Sequence, residues 1–117
     1  MARSAITVQS LSAFNTAGDI TKDVVDISNN HSIDVENVKT SNLAIFIEST
    51  TTDPMTWTIK AGDFSDKGIG DLEITSVEAK TQVVVLEAAR FKDSDELILI
   101  DATGTNAAAK IYAVELP

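Results

Sequence analysis

Leu43-Ala44-Ile45-Phe46-Ile47-Glu48-Ser49, then Thr50-Thr51-Thr52-Asp53-Pro54, then Met55-Thr56-Trp57-Thr58-Ile59-Lys60-Ala61-Gly62-Asp63, is the stretch whose pattern decides the fold class. Leu43, Ile45 and Ile47 alternate, and so do Met55, Trp57 and Ile59. Successive side chains of a strand point to opposite faces, so each run offers one apolar edge to a core. The polar link between them contains Pro54, which has no N–H to give to a ladder and belongs at its margin. The pattern predicts a β-hairpin, Asn42–Ser49 against Met55–Ala61, inside an all-β domain.

The same period extends outward. Ala5–Leu11 reads as a first strand, Val24–Ile27 and Ile33–Val35 as short strands, and Leu72–Val77, Glu96–Asp101 and Lys110–Leu116 as later ones. Polar and glycine-bearing clusters separate them. Thr81–Leu86 is nearly continuous and β-branched, which predicts a strand buried on both sides. A helix over Val77–Lys92 competes, because Glu78, Ala79, Lys80 and Leu86–Ala89 are good helix formers. Thr81 and Val83-Val84-Val85 oppose it, since branching at Cβ removes χ1 freedom in a helix. The chain is expected to be all-β: an antiparallel β-sandwich or jelly-roll-like barrel of about eight or nine short strands. Residues 1–117 form one domain, with 1–10 as an N-terminal arm or edge strand.

With 117 residues and 44% hydrophobic content, the chain can bury one core without staples. It contains no cysteine, so disulfides, thiolate ligands and thiol nucleophiles are excluded. Nine Lys and Arg against 18 Asp and Glu give a formal charge of −9. The cations, from Arg3 to Lys110, are scattered, so direct binding of nucleic acid or of anionic membrane is not expected. Gln9, Ser10 and Ser12 interrupt what would be the apolar segment of a secretory leader, and no cleavable signal is expected. The aliphatic runs Val83–Leu86 and Leu97–Ile100 are far too short to span a bilayer.

No catalytic constellation emerges. His31, the single histidine, lies in the polar stretch Asn29-Asn30-His31-Ser32 and is expected to be a solvated loop residue. Asp63-Phe64-Ser65-Asp66-Lys67-Gly68 partly matches a calcium loop, but Lys67 stands at the fifth ligand position and Ile74 where the bidentate Glu belongs. Asp63, Asp66 and Asp71 are left as weak candidates for a different calcium site; no metal and no cofactor is expected. Gly68-Ile69-Gly70 lacks the third glycine and following helix of a phosphate loop. Asn30-His31-Ser32 matches a glycosylation sequon by pattern alone. Acidic pairs such as Asp93 with Asp95, and Asp34 with Glu36, lack the aromatic platforms of a glycosidase groove. Trp57, in step with Met55 and Ile59, reads as core. An enzyme is not expected.

Four stretches carry a resemblance, the first being Leu43-Ala44-Ile45-Phe46-Ile47. Thr56-Trp57-Thr58-Ile59-Lys60-Ala61-Gly62-Asp63, then Gly68-Ile69-Gly70-Asp71-Leu72, then Leu86-Glu87-Ala88-Ala89-Arg90-Phe91, with the ending Val114-Glu115-Leu116-Pro117, resemble small β-sandwich virion proteins of tailed bacteriophages. The likeness runs over residues 4–117. This chain departs in having no Pro-Pro near Asp63–Gly70 and in its acidic Lys92–Glu96 turn. The resemblance implies a capsid decoration (cement) protein that binds the outer surface of the major capsid protein shell in the virion, after assembly in the host cytoplasm. It also implies a homo-oligomer, trimer or dimer. The alternative is a tail- or fibre-associated module binding host glycan or another virion protein. Ala2, Arg3, Ser4, Ala5 and Ile6 are the partner-contact candidates, because a terminal, barely charged strand can extend a neighbour's sheet. Arg90 and Phe91 are expected to be structural, Arg90 pairing with Glu87 or Asp71 and Phe91 filling the end of the core.

Overall fold

Alternation of apolar residues becomes strand after strand in the computed structural model, which describes residues 2–10, 17–38, 43–49, 54–63, 70–76 and 79–116. The strands are β1 (Ser4–Ile6), β2 (Val8–Ser10), β3 (Asp23–Val24), β4 (His31–Asp34), β5 (Leu43–Glu48), β6 (Met55–Ile59), β7 (Leu72–Ser76), β8 (Thr81–Leu86), β9 (Leu97–Gly104) and β10 (Lys110–Glu115). One helical turn, α1 (Ala88–Phe91), separates β8 from β9. Strand accounts for 53% of the described residues and helix for 4%. One sheet runs β1-β4-β9-β6-β7; the other runs β2-β10-β5-β8, with β3 also on β10. The protein is a β-sandwich.

The expected hairpin does not form. β5 pairs with β10 and β8, whereas β6 pairs with β9 and β7, so the chain changes sheets between them. Alternation specifies which side chains enter the core but not which strand lies alongside. Leu43, Ile45 and Ile47 therefore line the inner face of one sheet, and Met55, Trp57 and Ile59 that of the other. Ile33, Ile98, Ile100 and Ile111 complete the densest part of the core, all at 1% exposure or less. Removing one such side chain to Ala costs about 2–5 kcal/mol, because the cavity adds to the lost transfer energy.

The first strand is also divided. β1 pairs with β4 in parallel, the chain crosses at Thr7, and β2 pairs with β10 in parallel in the opposite sheet. The other pairings are antiparallel. This crossing ties the two sheets together along one long side of the sandwich.

The other long side stays open. Thr81–Leu86, expected to be covered on both faces, is an edge strand whose one partner among the described residues is β5. Val83 and Val85 are 56% and 60% exposed, while Leu86 points into the core. β-branched composition marks a strand but does not separate a central position from an edge. Opposite β8, β7 forms the edge of the other sheet; Leu72 of β7 and Val84, Leu86 and Arg90 line the gap between them. At one end of the gap, a Cβ on Gly62 would overlap the carbonyl oxygens of Lys92 and Arg90, so this position needs glycine for close approach to α1.

Candidate interaction surface

The N-terminal residues form a clamp. Arg3 Nη1 donates to the carbonyls of His31 and Ile100 at 3.2 and 3.3 Å and to Asp101 Oδ1 at 2.6 Å. The Ser4 amide donates to the Asn30 carbonyl at 2.9 Å, and its hydroxyl donates to Asp26. Ile6 is buried in the core, and Ala2 and Ala5 are exposed. Four of the five partner-contact candidates, Arg3 to Ile6, are thus engaged by their own chain through side chain or β1 pairing.

His31 is the largest departure from expectation. Its side chain is 1% exposed on β4, facing inward in step with Ile33. The turn lies one step earlier than the polar stretch suggested: Asp26 Oδ1 caps it by accepting the Asn29 amide three residues on at 3.0 Å, and Asn30 adopts φ 62. Asn30 Oδ1 then accepts the Ala102 amide at 2.9 Å, tying the turn to β9. His31 Nε2 faces the Asp26 N–H at 2.9 Å and must accept, so Nδ1 carries the proton toward the Ser4 carbonyl at 3.3 Å. Burial pushes the imidazole below its ordinary range. The Asp26 carboxylate is lowered to about 2, chiefly by the Ser4 hydroxyl and then by the Asn29 amide.

Ser4, Asp26 and His31 match a nucleophile triad in composition but not in wiring. The Ser4 hydroxyl donates to Asp26, and both His31 nitrogens face backbone groups. A general base must reach the nucleophile's proton, and here the histidine does not. The cluster holds β1 in place.

Two of the three acidic calcium candidates are spent on backbone amides. Asp63 Oδ2 accepts the Ser94 amide at 3.0 Å. Asp71 accepts the Ala61 amide at 2.6 Å and pairs with Lys60 at 3.2 Å, contacts that hold its carboxyl below the usual range. Asp66 lies outside the described residues. Among the described residues, no group of three or more His, Asp or Glu is placed to hold a metal ion. The Asp71 carboxylate goes to Lys60 rather than Arg90; the Arg90 guanidinium lies over the Phe91 ring, 4.5 Å from its centre. Phe91 and Trp57 are buried.

What the fold does assemble is two unlike outer faces. Period two and the registers put Thr56, Thr58, Glu73, Thr75, Asp101 and Thr103 side by side on the outside of the β6–β7–β9 sheet. The same logic puts Ala44, Phe46, Val83, Val85, Tyr112 and Val114 on the outside of the other. Residues 17–22 fold over part of that apolar face. Gln9 and Thr21 exchange hydrogen bonds of 2.7 and 2.6 Å, and Lys22 reaches Glu48 at 2.7 Å. Glu48 also accepts the Tyr112 hydroxyl at 2.8 Å, and Tyr112 stacks on Phe46 with ring centres 5.0 Å apart. Burial, and then the Glu48 contact, raises the Tyr112 phenol to about 12, while Lys22 and then Tyr112 lower Glu48. Beside this stack, Ile20, Phe46 and Leu116 line a shallow groove of about 350 Å³, almost wholly apolar.

The β8 edge adjoins this face. The Ser49 amide donates to the Lys80 carbonyl at 2.9 Å, so Lys80 turns toward β5. N–H and C=O of one residue point the same way in an antiparallel strand, and the direction alternates. Thr81, Val83 and Val85 therefore direct their backbone groups to the free side. The sequence signal for this surface was the uncharged run Thr81–Leu86 together with the parity that sets Val83 and Val85 opposite Leu86. Among the described residues, no helix is long and apolar enough to cross a membrane. Compared with known proteins, the chain matches no family model, no curated protein and no solved structure.

Proposed function

We propose that this chain is a structural protein of a tailed-bacteriophage virion, a capsid decoration protein that docks on the outer surface of the major capsid protein shell. The observation that carries the reading is the unequal dressing of the two outer faces. A threonine- and acid-bearing face suits solvent, while Phe46, Ile20 and Val85 give the opposite face an apolar contact area. Exposed apolar patches rimmed by polar groups are where proteins dock. The likeness of residues 56–63, 68–72 and 86–91 to phage virion proteins supports the same reading.

The physics of decoration fits such a chain. A shell repeats one surface many times, so modest contacts at each copy add to stable coverage when the copies also touch one another. A charge of −9 keeps unbound copies soluble and discourages non-specific association. The role needs neither catalysis nor a cofactor, and the Ser4–Asp26–His31 wiring offers no nucleophile.

Electron microscopy of particles assembled with and without the protein tests this. Surface density at symmetry-related positions is expected only on particles that contain it; identical shells would overturn the reading. Ile20→Asp, which puts a charge in the groove, is expected to lower occupancy about tenfold, equivalent to ~1.4 kcal/mol per site.

A further inference from the structure

We infer that the free edge of β8 is a self-association site, at which two copies of this chain pair antiparallel along Thr81–Leu86 about a two-fold axis through Val83. Thr81, Val83 and Val85 aim their amides and carbonyls away from β5, where no strand lies among the described residues, and an unpaired row of such groups is a template for another strand. Antiparallel pairs keep both outer faces on one side only if residues of the same parity meet. Centring on Val83 satisfies this: Val83 faces Val83, and Thr81 faces Val85.

Charge selects a second copy as the occupant. Residues 81–86 contain no charged side chain, in a chain where 23% of residues are charged. Repulsion between two copies of net charge −9 is therefore small along this strand. Lys80 and Glu87 flank it, both exposed. Antiparallel pairing brings the Lys80 end of each copy beside the Glu87 end of the other, twice over; parallel pairing would oppose like charges. Of the other edge strands, β7 carries Glu73 on its outer face beside Asp71 and repels a like copy, while β1 and β2 are only three residues long and offer little to pair. Natural sheets protect edges with such charges, and β8 has none within the strand.

The consequence is geometric. Two β2-β10-β5-β8 paths become one continuous sheet, with both Phe46–Tyr112 stacks on the same side. A six-residue strand spans about 20 Å, so the contact is small beside the ~1,200–2,000 Å² of a standard interface. Association is expected to be reversible and to depend on concentration. It does not rest on the virion reading, and it holds or fails in solution.

Sedimentation velocity of the full chain from about 10 μM to 1 mM is expected to show monomer passing to dimer. Val83→Lys, at an exposed position, is expected to weaken the dimer at least about tenfold with an unchanged circular dichroism spectrum. The chain has no cysteine, so a single introduced one reports contact between copies. On oxidation, Val83→Cys is expected to form a disulfide dimer rapidly. Val85→Cys, about 14 Å from its own counterpart in this register, and Thr103→Cys on the other sheet should do so slowly. A wild-type monomer at every concentration, an unaffected Val83→Lys dimer, or equal rates for the three cysteines would each overturn the inference. Shell occupancy of Val83→Lys, scored by microscopy, separates this failure from failure of the decoration reading.

Discussion

On one long side of the sandwich the chain crosses from sheet to sheet at Thr7, and Arg3, Ser4 and His31 fasten it there. On the other side, β7 and β8 end across a gap lined by Leu72 and Val84. Both sides face the same problem, a row of backbone groups with no neighbouring strand. On the first, the edges β1 and β2 are three residues each, and three hydrogen bonds from one guanidinium and a buried imidazole pin β1 against its neighbours. The second carries charge at β7 and, among the described residues, is left uncovered at β8. The lesson is that short, pinned edges on one side leave the long uncharged edge on the other as the one suited to contact.

The contrast breaks most sharply in stability. Ile33→Ala, on the inner face of β4 beside the clamp, is expected to cost about 2–5 kcal/mol in urea unfolding. Val83→Ala on the open side should stay within about 0.5 kcal/mol. A comparable loss at Val83 would mean that the open edge is covered within the chain. Arg3→Ala comes next, at about 1–3 kcal/mol, because it strips a charged donor from two carbonyls and Asp101. Amide exchange should accelerate in β1 and leave β8 unchanged. Equal acceleration in both would dissolve the distinction between the two sides.

Acid sharpens it further. Burial holds His31 below its ordinary value near 6.5, so the unfolded chain takes up the proton more readily than the folded one. The stability contributed by the neutral ring is therefore fully present above about pH 6.5 and falls as the pH drops through the folded value. Protonated Nε2 would face the Asp26 N–H, donor against donor. Asp26 acts in the same direction at lower pH, its contribution fading between 3.8 and about 2. Urea midpoints measured from pH 8 to 5 should decline, and His31→Gln should flatten that slope. A slope unchanged by the substitution would move the acid sensitivity elsewhere.

The inner faces were legible from sequence because burial obeys period two: Leu43, Ile45 and Ile47, and Met55, Trp57 and Ile59, all lie where alternation put them. Partner choice was not legible. β5 and β6 have the hydrophobic pattern of a hairpin, yet no local rule says that the chain turns from one sheet to the other between them. His31 was misread because its neighbours are polar and turn-forming, whereas its own burial depends on Ser4, 27 residues away. β8 was misread for the opposite reason, since three consecutive valines look the same at an edge as at the centre of a sheet. The apolar outer face needed the registers of β5, β8 and β10 together, and these join segments far apart in the chain.

The parallel seam of β2 on β10 also has a mechanical meaning. Val8, Gln9 and Ser10 run alongside Ala113, Val114 and Glu115, near opposite ends of the chain. Tension applied between those ends slides the two strands lengthwise, loading the rungs together instead of opening them one after another. Stretching single molecules by their termini should give a higher rupture force than pulling from Ser94 and the C-terminus, and equal forces would contradict it. A domain built this way would resist being drawn apart along its own length.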